Sequence, residues 1–195
     1  MNFLFVKSQI RVLGVDDGPF SFNDKYTLVV GVVMRGGSYL ESVLSTRVSI
    51  DGLDSTHSLI EMINNSRYKD QIRTIMIDGI ALGGFNVVDI EEIFRETSIP
   101  VITITRDKPD DEKIKVALKK NFADWEKRWG IISKFDLKCI KTKHNPIYVK
   151  HVGINDKEAE EIIRISTIRG VLPEPIRVAH LIASGIMRGE SYGKA

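Results

Sequence analysis

The apolar positions of this chain change period along its length, and the changes mark out elements. Residues 10–16 (IRVLGVD) form a short apolar run, and residues 26–34 (YTLVVGVVM) are β-branched and continuous enough to predict a strand buried on both faces. A turn rich in Asp, Gly and Pro separates them. Gly36-Gly37 then marks a hairpin into residues 39–50 (YLESVLSTRVSI), whose mixed polarity fits a more exposed strand. Together these predict an antiparallel three-strand meander. Leu59, Ile60, Met62 and Ile63 recur at helical spacing, with Asp54 or Ser55 placed to cap the first turn. Strand 74–77, helix 86–96 and strand 100–105 follow, and strands linked through helices lie parallel with right-handed crossovers.

Pro109 and the acids Asp110, Asp111 and Glu112 open a long amphipathic helix, with Ile114, Ala117, Leu118, Phe122 and Trp125 along one stripe. Two short β-like pieces flank Asn145-Pro146. Asn155 and Glu158 have the spacing of an N-terminal capping pair for a helix through Ile168, which Gly170 ends. A last helix, 175–189, presents Val178, Leu181, Ile182 and Ile186 inward, and residues 190–195 form a loose tail. No repeat, low-complexity run or linker divides the chain, so residues 1–195 read as a single domain.

Composition narrows the class. At 195 residues, with 43% hydrophobic and 28% charged, the chain is of the ordinary soluble globular kind. A net charge of +2 is too mild to imply a polyanion partner, although basic residues are locally dense over 134–150. The single cysteine, Cys139, excludes an intramolecular disulfide and a multi-cysteine metal site. The start, MNFLFVKSQIRVLG, has neither the basic segment nor the cleavage site of a signal peptide, and no stretch is long and apolar enough to span a bilayer. These readings point to the cytoplasm and to no membrane partner.

Candidate chemistry comes from where the strands end. The first runs into Asp16-Asp17 and the strand Ile75–Ile77 runs into Asp78, and in open α/β sheets ligand sites form beyond the carboxyl ends of strands. Acids brought together there raise one another's pKa unless a cation intervenes, which suits a hard divalent ion such as Mg2+. Such ions also organise phosphodiester hydrolysis. Each acid has a plainer reading beside this one: Asp16-Asp17-Gly18-Pro19, Asp51-Gly52 and Asp78-Gly79 all suit turns, and Asp54 suits a helix cap.

The stretches LGVDDG and IMIDG resemble the acidic motifs of endonuclease V, and GVLPEPIRVAHLIASG, residues 170–185, is similar to that family's LPEPTR region and following helix. With VDGLDST, DGIALGGFNVVDI and PVITITRDKPD, the chain is identified as a member of an uncharacterised archaeal family related to endonuclease V. The resemblance implies a ribonuclease H-like fold: a mixed five-stranded sheet with the antiparallel meander, helices on both faces and additional C-terminal helices. By position it makes Asp16 and Asp78 metal-binding aspartates, puts Asp54 where endonuclease V has a glutamate, and gives His151 the place of an active-site histidine. Read without the resemblance, His151 is an ordinary surface residue. Two features of endonuclease V are missing. Its Pro-Tyr-Ile-Pro wedge has no counterpart in STRVSIDGL, and its His-Pro-Arg is replaced by Gly83, Gly84 and Phe85, which allow either close backbone approach to a substrate or a flexible turn.

Three functions fit these residues. In the first, Asp16, Asp54 and Asp78 hold Mg2+ or Mn2+ in a nuclease of DNA or RNA, with His151 positioning water or the scissile phosphate. In the second, the fold survives as a catalytically inactive module that binds nucleic acid or protein. The third is a small-molecule phosphoesterase. Glu174 and Arg177 read as an ion pair or cap, Trp125 and Trp129 as core, and LKCIKTKH as a solvated face.

Overall fold

A computed structural model of the chain describes residues 9–21 and 23–191. The front of the chain pairs as its apolar pattern requires. β1 (Arg11–Asp17), β2 (Tyr26–Arg35) and β3 (Tyr39–Ser49) form an antiparallel meander, turned at Gly36, whose φ of 57° a side chain would resist. After α1 (Ser55–Asn64), β4 (Ile72–Asp78) returns parallel to β1. A small hairpin, β5 (Ala81–Leu82) with β6 (Asn86–Val87), precedes α2 (Ile90–Thr97), and β7 (Val101–Thr105) then lies parallel to β4. Two helices, α3 (Asp111–Asn121) and α4 (Trp125–Ile132), lead to β8 (Lys138–Ile140) and β9 (Ile147–Val152). The chain closes with α5 (Asp156–Ser166) and α6 (Glu174–Arg188).

The expected mixed sheet is present but wider. β8 and β9, the pieces around Asn145-Pro146, join it antiparallel, which gives seven strands in the order β3-β2-β1-β4-β7-β9-β8 instead of five. Alternation along the strands sorts its two faces. Leu13, Val15, Ile75 and Ile77 pack under α1 and α2, while Val12, Met76, Ile102 and Ile104 pack under α5 and α6. Each such fully buried aliphatic side chain contributes about 1.5–3 kcal/mol. Among the described residues no helix is long and apolar enough to cross a membrane.

Several boundaries differ from the sequence expectation, each for a visible reason. Asn86 does not begin a helix: its buried side chain accepts from Ser55 N–H at 3.0 Å and donates to Ser49 O at 2.9 Å, which fixes it in β6. α2 starts instead after Asp89, whose carboxylate accepts from the Glu91 and Glu92 amides. The long helix expected from Pro109 breaks at Phe122, which takes an extended conformation and packs edge-on against Phe85, so Trp125 belongs to the next helix. α5 has the predicted Asn155–Glu158 capping box but stops at Ser166. Residues 192–195 of the expected tail lie outside the described residues.

α6 is rotated from its predicted register. It buries Ile176, Ala179 and Ala183, leaves Val178, Leu181 and Ile182 half-exposed, and exposes Ile186 to 66%. Close approach is the cause. A Cβ on Gly14 of β1 would stand 2.2 Å from the Pro175 carbonyl carbon, so the helix lies close to the strand and the small Ala179 and Ala183 face the sheet along with Ile176.

Candidate functional site

β1 and β4 run parallel with Val15 opposite Ile77, so the next residue of each, Asp16 and Asp78, lies side by side where the strands end. Neighbouring strands are about 4.8 Å apart. Both acids share the face covered by α6, whose His180 places Nδ1 2.8 Å from Asp16 Oδ2. Asp16 is buried, and its other oxygen accepts from the Asp17 amide at 2.8 Å. Asp17, one residue on, points to the opposite face and accepts from Gly83 N–H at 2.9 Å, which ties the β5–β6 loop to the strand end. Gly83 and Gly84 both have positive φ and are held by this bond and by Asp51, so their loop is a braced turn.

Crowded carboxylates behave here as electrostatics requires. Burial, then the charge of Asp16, pushes Asp78 up to about 7, against the pull of Arg106 and His180. Burial and Asp16 likewise raise Asp17 to about 6, partly offset by the Gly83 hydrogen bond. The hydrogen bond to Asp16 raises His180 above its ordinary value despite partial burial. Asp16, Asp78, an imidazole and a guanidinium thus share one strand-end cluster, in which Asp78 holds a proton at a pH where a free carboxylate would not.

Of the residues expected at the site, Asp16 and Asp78 meet, and Asp54 and His151 lie elsewhere. Asp54 occupies the N-cap position of α1 but does not cap it. Its carboxylate accepts from Ser49 N–H at 3.1 Å, Ser49 Oγ at 2.8 Å and Asn86 Nδ2 at 2.5 Å. Burial alone would raise its pKa, but these hydrogen bonds outweigh that and hold it below the usual carboxylate range. The α1 amide at Ser55 is capped instead by Asn86. His151 pairs across the sheet with Ile102, two strands and two residues from Asp78, roughly 12 Å away by strand spacing and rise. Its Nε2 lies 2.8 Å from Asp156 Oδ1. Among the described residues no group of three or more His, Cys, Asp or Glu side chains is arranged to hold a metal ion.

Asp54 therefore braces the turn before α1. Replacing it by Ala is expected to lower stability by about 1–3 kcal/mol, the cost of leaving its buried donors unpaired. Urea unfolding measures this, and a stability equal to that of the unaltered chain would remove the bracing role.

The sequence pattern gives His180 and Arg106 no site role and Asp17 only a place in the turn after the first strand. A signal for His180 existed, since it is the one imidazole inside the apolar helix that follows PEP, but only the docking of α6 on β1 shows which acid it meets. Glu174 and Arg177 do form the expected ion pair, at 2.6 Å. A groove of about 850 Å³ lies between residues 139–144 and α5, and Asp16, Asp17, Asp54 and Asp78 do not line it.

Known proteins share this framework. The family profile described as Endonuclease dU matches residues 8–187. A "UPF0215 protein" from Methanothermobacter thermautotrophicus is 49% identical over 195 residues, covering 100% of this chain and 96% of its own. The crystal structure of a protein of unknown function from Archaeoglobus fulgidus superposes with a TM-score of 0.83 at 42% identity, covering 93% of this chain and 100% of that one. Endonuclease V from Ciona intestinalis, in complex with a 24mer DNA containing an inosine followed by a ribo-adenosine, superposes with a TM-score of 0.61 at 13% identity, covering 93% and 87%, a likeness of fold. On the match over residues 8–187 and the identity along its whole length, the chain belongs to the Endonuclease dU family.

Proposed function

We propose that the protein is a divalent-metal-dependent nuclease that hydrolyses phosphodiester bonds at the strand-end cluster. The observation that carries this reading is the juxtaposition of Asp16 and Asp78, buried under α6 and incompletely neutralised by His180 and Arg106. Mg2+ is commonly held by one or two carboxylates, with water and substrate phosphate oxygens completing the shell. Two adjacent carboxylates fit that need, and the absence of a third side-chain ligand among the described residues is compatible with it. Asp16 and Asp78 would hold Mg2+ or Mn2+. When bound, the ion lowers the pKa of water and offsets charge on phosphate oxygens.

The remaining groups act around that pair. Asp16 orients the His180 ring through Nδ1, which leaves Nε2 to carry a proton to or from an oxygen of the substrate. Arg106, close enough to Asp78 to lower its pKa, supplies a positive charge for a phosphate. The family description directs the first substrate to deoxyuridine-containing DNA. In this reading Asp54 acts as a brace, and His151, held by Asp156, stands apart from the Asp16–Asp78 pair.

Incubation of the purified protein with deoxyuridine-, inosine- and unmodified DNA, and with RNA, in Mg2+ or Mn2+ tests the reading. Cleavage that needs the ion and falls at least about 100-fold in His180→Gln supports it. Intact substrate in every mixture overturns it. The alternative is a binding module without catalysis, which predicts nucleic-acid binding that persists in EDTA and in Asp16→Asn with no cleavage.

A further inference from the structure

A basic, aromatic surface lies on the two helices that follow β7. β7 ends on the same side of the sheet as Asp16 and Asp78, and the chain then runs through Arg106 into α3. On α3, Lys115 Nζ lies 5.4 Å from the ring centroid of Trp129, and Lys119 Nζ lies 4.7 Å from that of Trp125. The two lysines are one helical turn apart and share a side of the helix. Among the described residues neither ammonium pairs with a carboxylate. Nearby lysines differ, since Lys113 is bound to Asp110 and Lys134 to Glu91.

This surface is fastened to the end of β1. Buried Arg128 of α4 donates from Nη1 to Gly52 O at 2.9 Å and to Phe85 O at 2.6 Å. The next turn donates Asp51 N–H to Gly83 O at 2.8 Å, and Gly83 N–H reaches Asp17 Oδ2. These bonds, joined through the Asp51–Gly52 peptide, tie the tryptophans' helix to Asp17, the residue after Asp16 on β1. A lysine resting on an indole face keeps its full charge and loses fewer conformations when it meets an anion, because the ring already restricts it. No carboxylate has to be displaced first.

We propose that Lys115 and Lys119 are phosphate-backbone contacts for the nucleic-acid strand that reaches Asp16 and Asp78. The strand's presence rests on the nuclease reading, and the contacts themselves are measured by binding alone. The experiment titrates a fluorescein-labelled single-stranded DNA oligonucleotide with the full chain in EDTA at several KCl concentrations. Two lost phosphate contacts, at about 0.7 each for single strands, should reduce the slope of log K against log salt by about 1.4 in Lys115→Gln/Lys119→Gln. The weakening should be the same for different sequences, and Lys115→Arg/Lys119→Arg should restore the slope. Lys113→Gln/Lys134→Gln, which removes two ion-paired lysines, should leave it unchanged. An unchanged slope in the double Gln variant, or a full chain that does not bind DNA, overturns the proposal. If the slope falls but no ion supports cleavage, the phosphate surface stands and the nuclease reading fails. If cleavage occurs with the slope unchanged, the reverse holds.

Discussion

Asp78→Asn is expected to stabilise the metal-free protein at pH 8 and to abolish cleavage. The folded Asp78 carboxyl is raised from 3.8 to about 7, mainly by burial and then by Asp16, so the native state binds a proton that the unfolded state has released. Stability from this group is therefore full below about pH 4 and is lost as pH rises towards 7, because the unfolded chain holds fewer protons than the native one over that window. Asp17, raised to about 6, acts with the same sign. His180, also raised, contributes stability below its unfolded pKa that is lost as pH rises through its folded value. Asn cannot ionise, so it removes the cost at Asp78, on the order of 2–4 kcal/mol at pH 8. Thermal melts in EDTA at pH 5 and pH 8 should show the gain chiefly at pH 8. Mg2+ or Mn2+ should raise the melting temperature of the unaltered chain at pH 8 and not that of the variant, since only a state that binds the ion is stabilised by it. Cleavage by the variant should fall at least about 1000-fold if the metal-held carboxylate serves catalysis. A variant destabilised at pH 8 would instead make Asp78 a structural acid.

Gly14→Ala is expected to cost about 3 kcal/mol, the upper end of ordinary overpacking, because the new methyl meets backbone and not a flexible side chain. Its Cβ would lie 2.2 Å from Pro175 C and 2.3 Å from Pro175 O, so α6 has to lift off β1. That movement also withdraws His180 from Asp16, which couples fold stability to the site. Urea denaturation should show the loss at every pH between 5 and 8, unlike the pH-dependent gain at Asp78. Unchanged stability would mean that α6 does not need this contact. Together the two substitutions separate packing from charge, since one damages the cover of the cluster and the other relieves its repulsion.

Much of the architecture is local and could be read from the residues. The β-branched run of β2 and the Gly36 turn specify the meander, and the capping residues Asn155 and Glu158 specify the start of α5. Elements whose partners are remote could not be read in this way. Asn86 suits a helix by its neighbours, but it is held by Ser49 and Ser55, more than thirty positions away. Asp54 suits a helix cap or a metal ligand equally, and its choice of Ser49 and Asn86 depends on how β3 meets β6.

Side-chain period and turn chemistry act over a few neighbouring residues, and they suffice to say which strands end in acids. Which of those acids meet is a matter of how the strands pair and how α6 docks. The parallel register of β1 and β4 puts Asp16 beside Asp78, and strand alternation sends Asp17 to the other face. The glycine gap at Gly14 seats α6 close enough for His180, and not His151, to reach the pair. Such a meeting depends on distances between segments far apart in the chain, and no local periodicity encodes those distances.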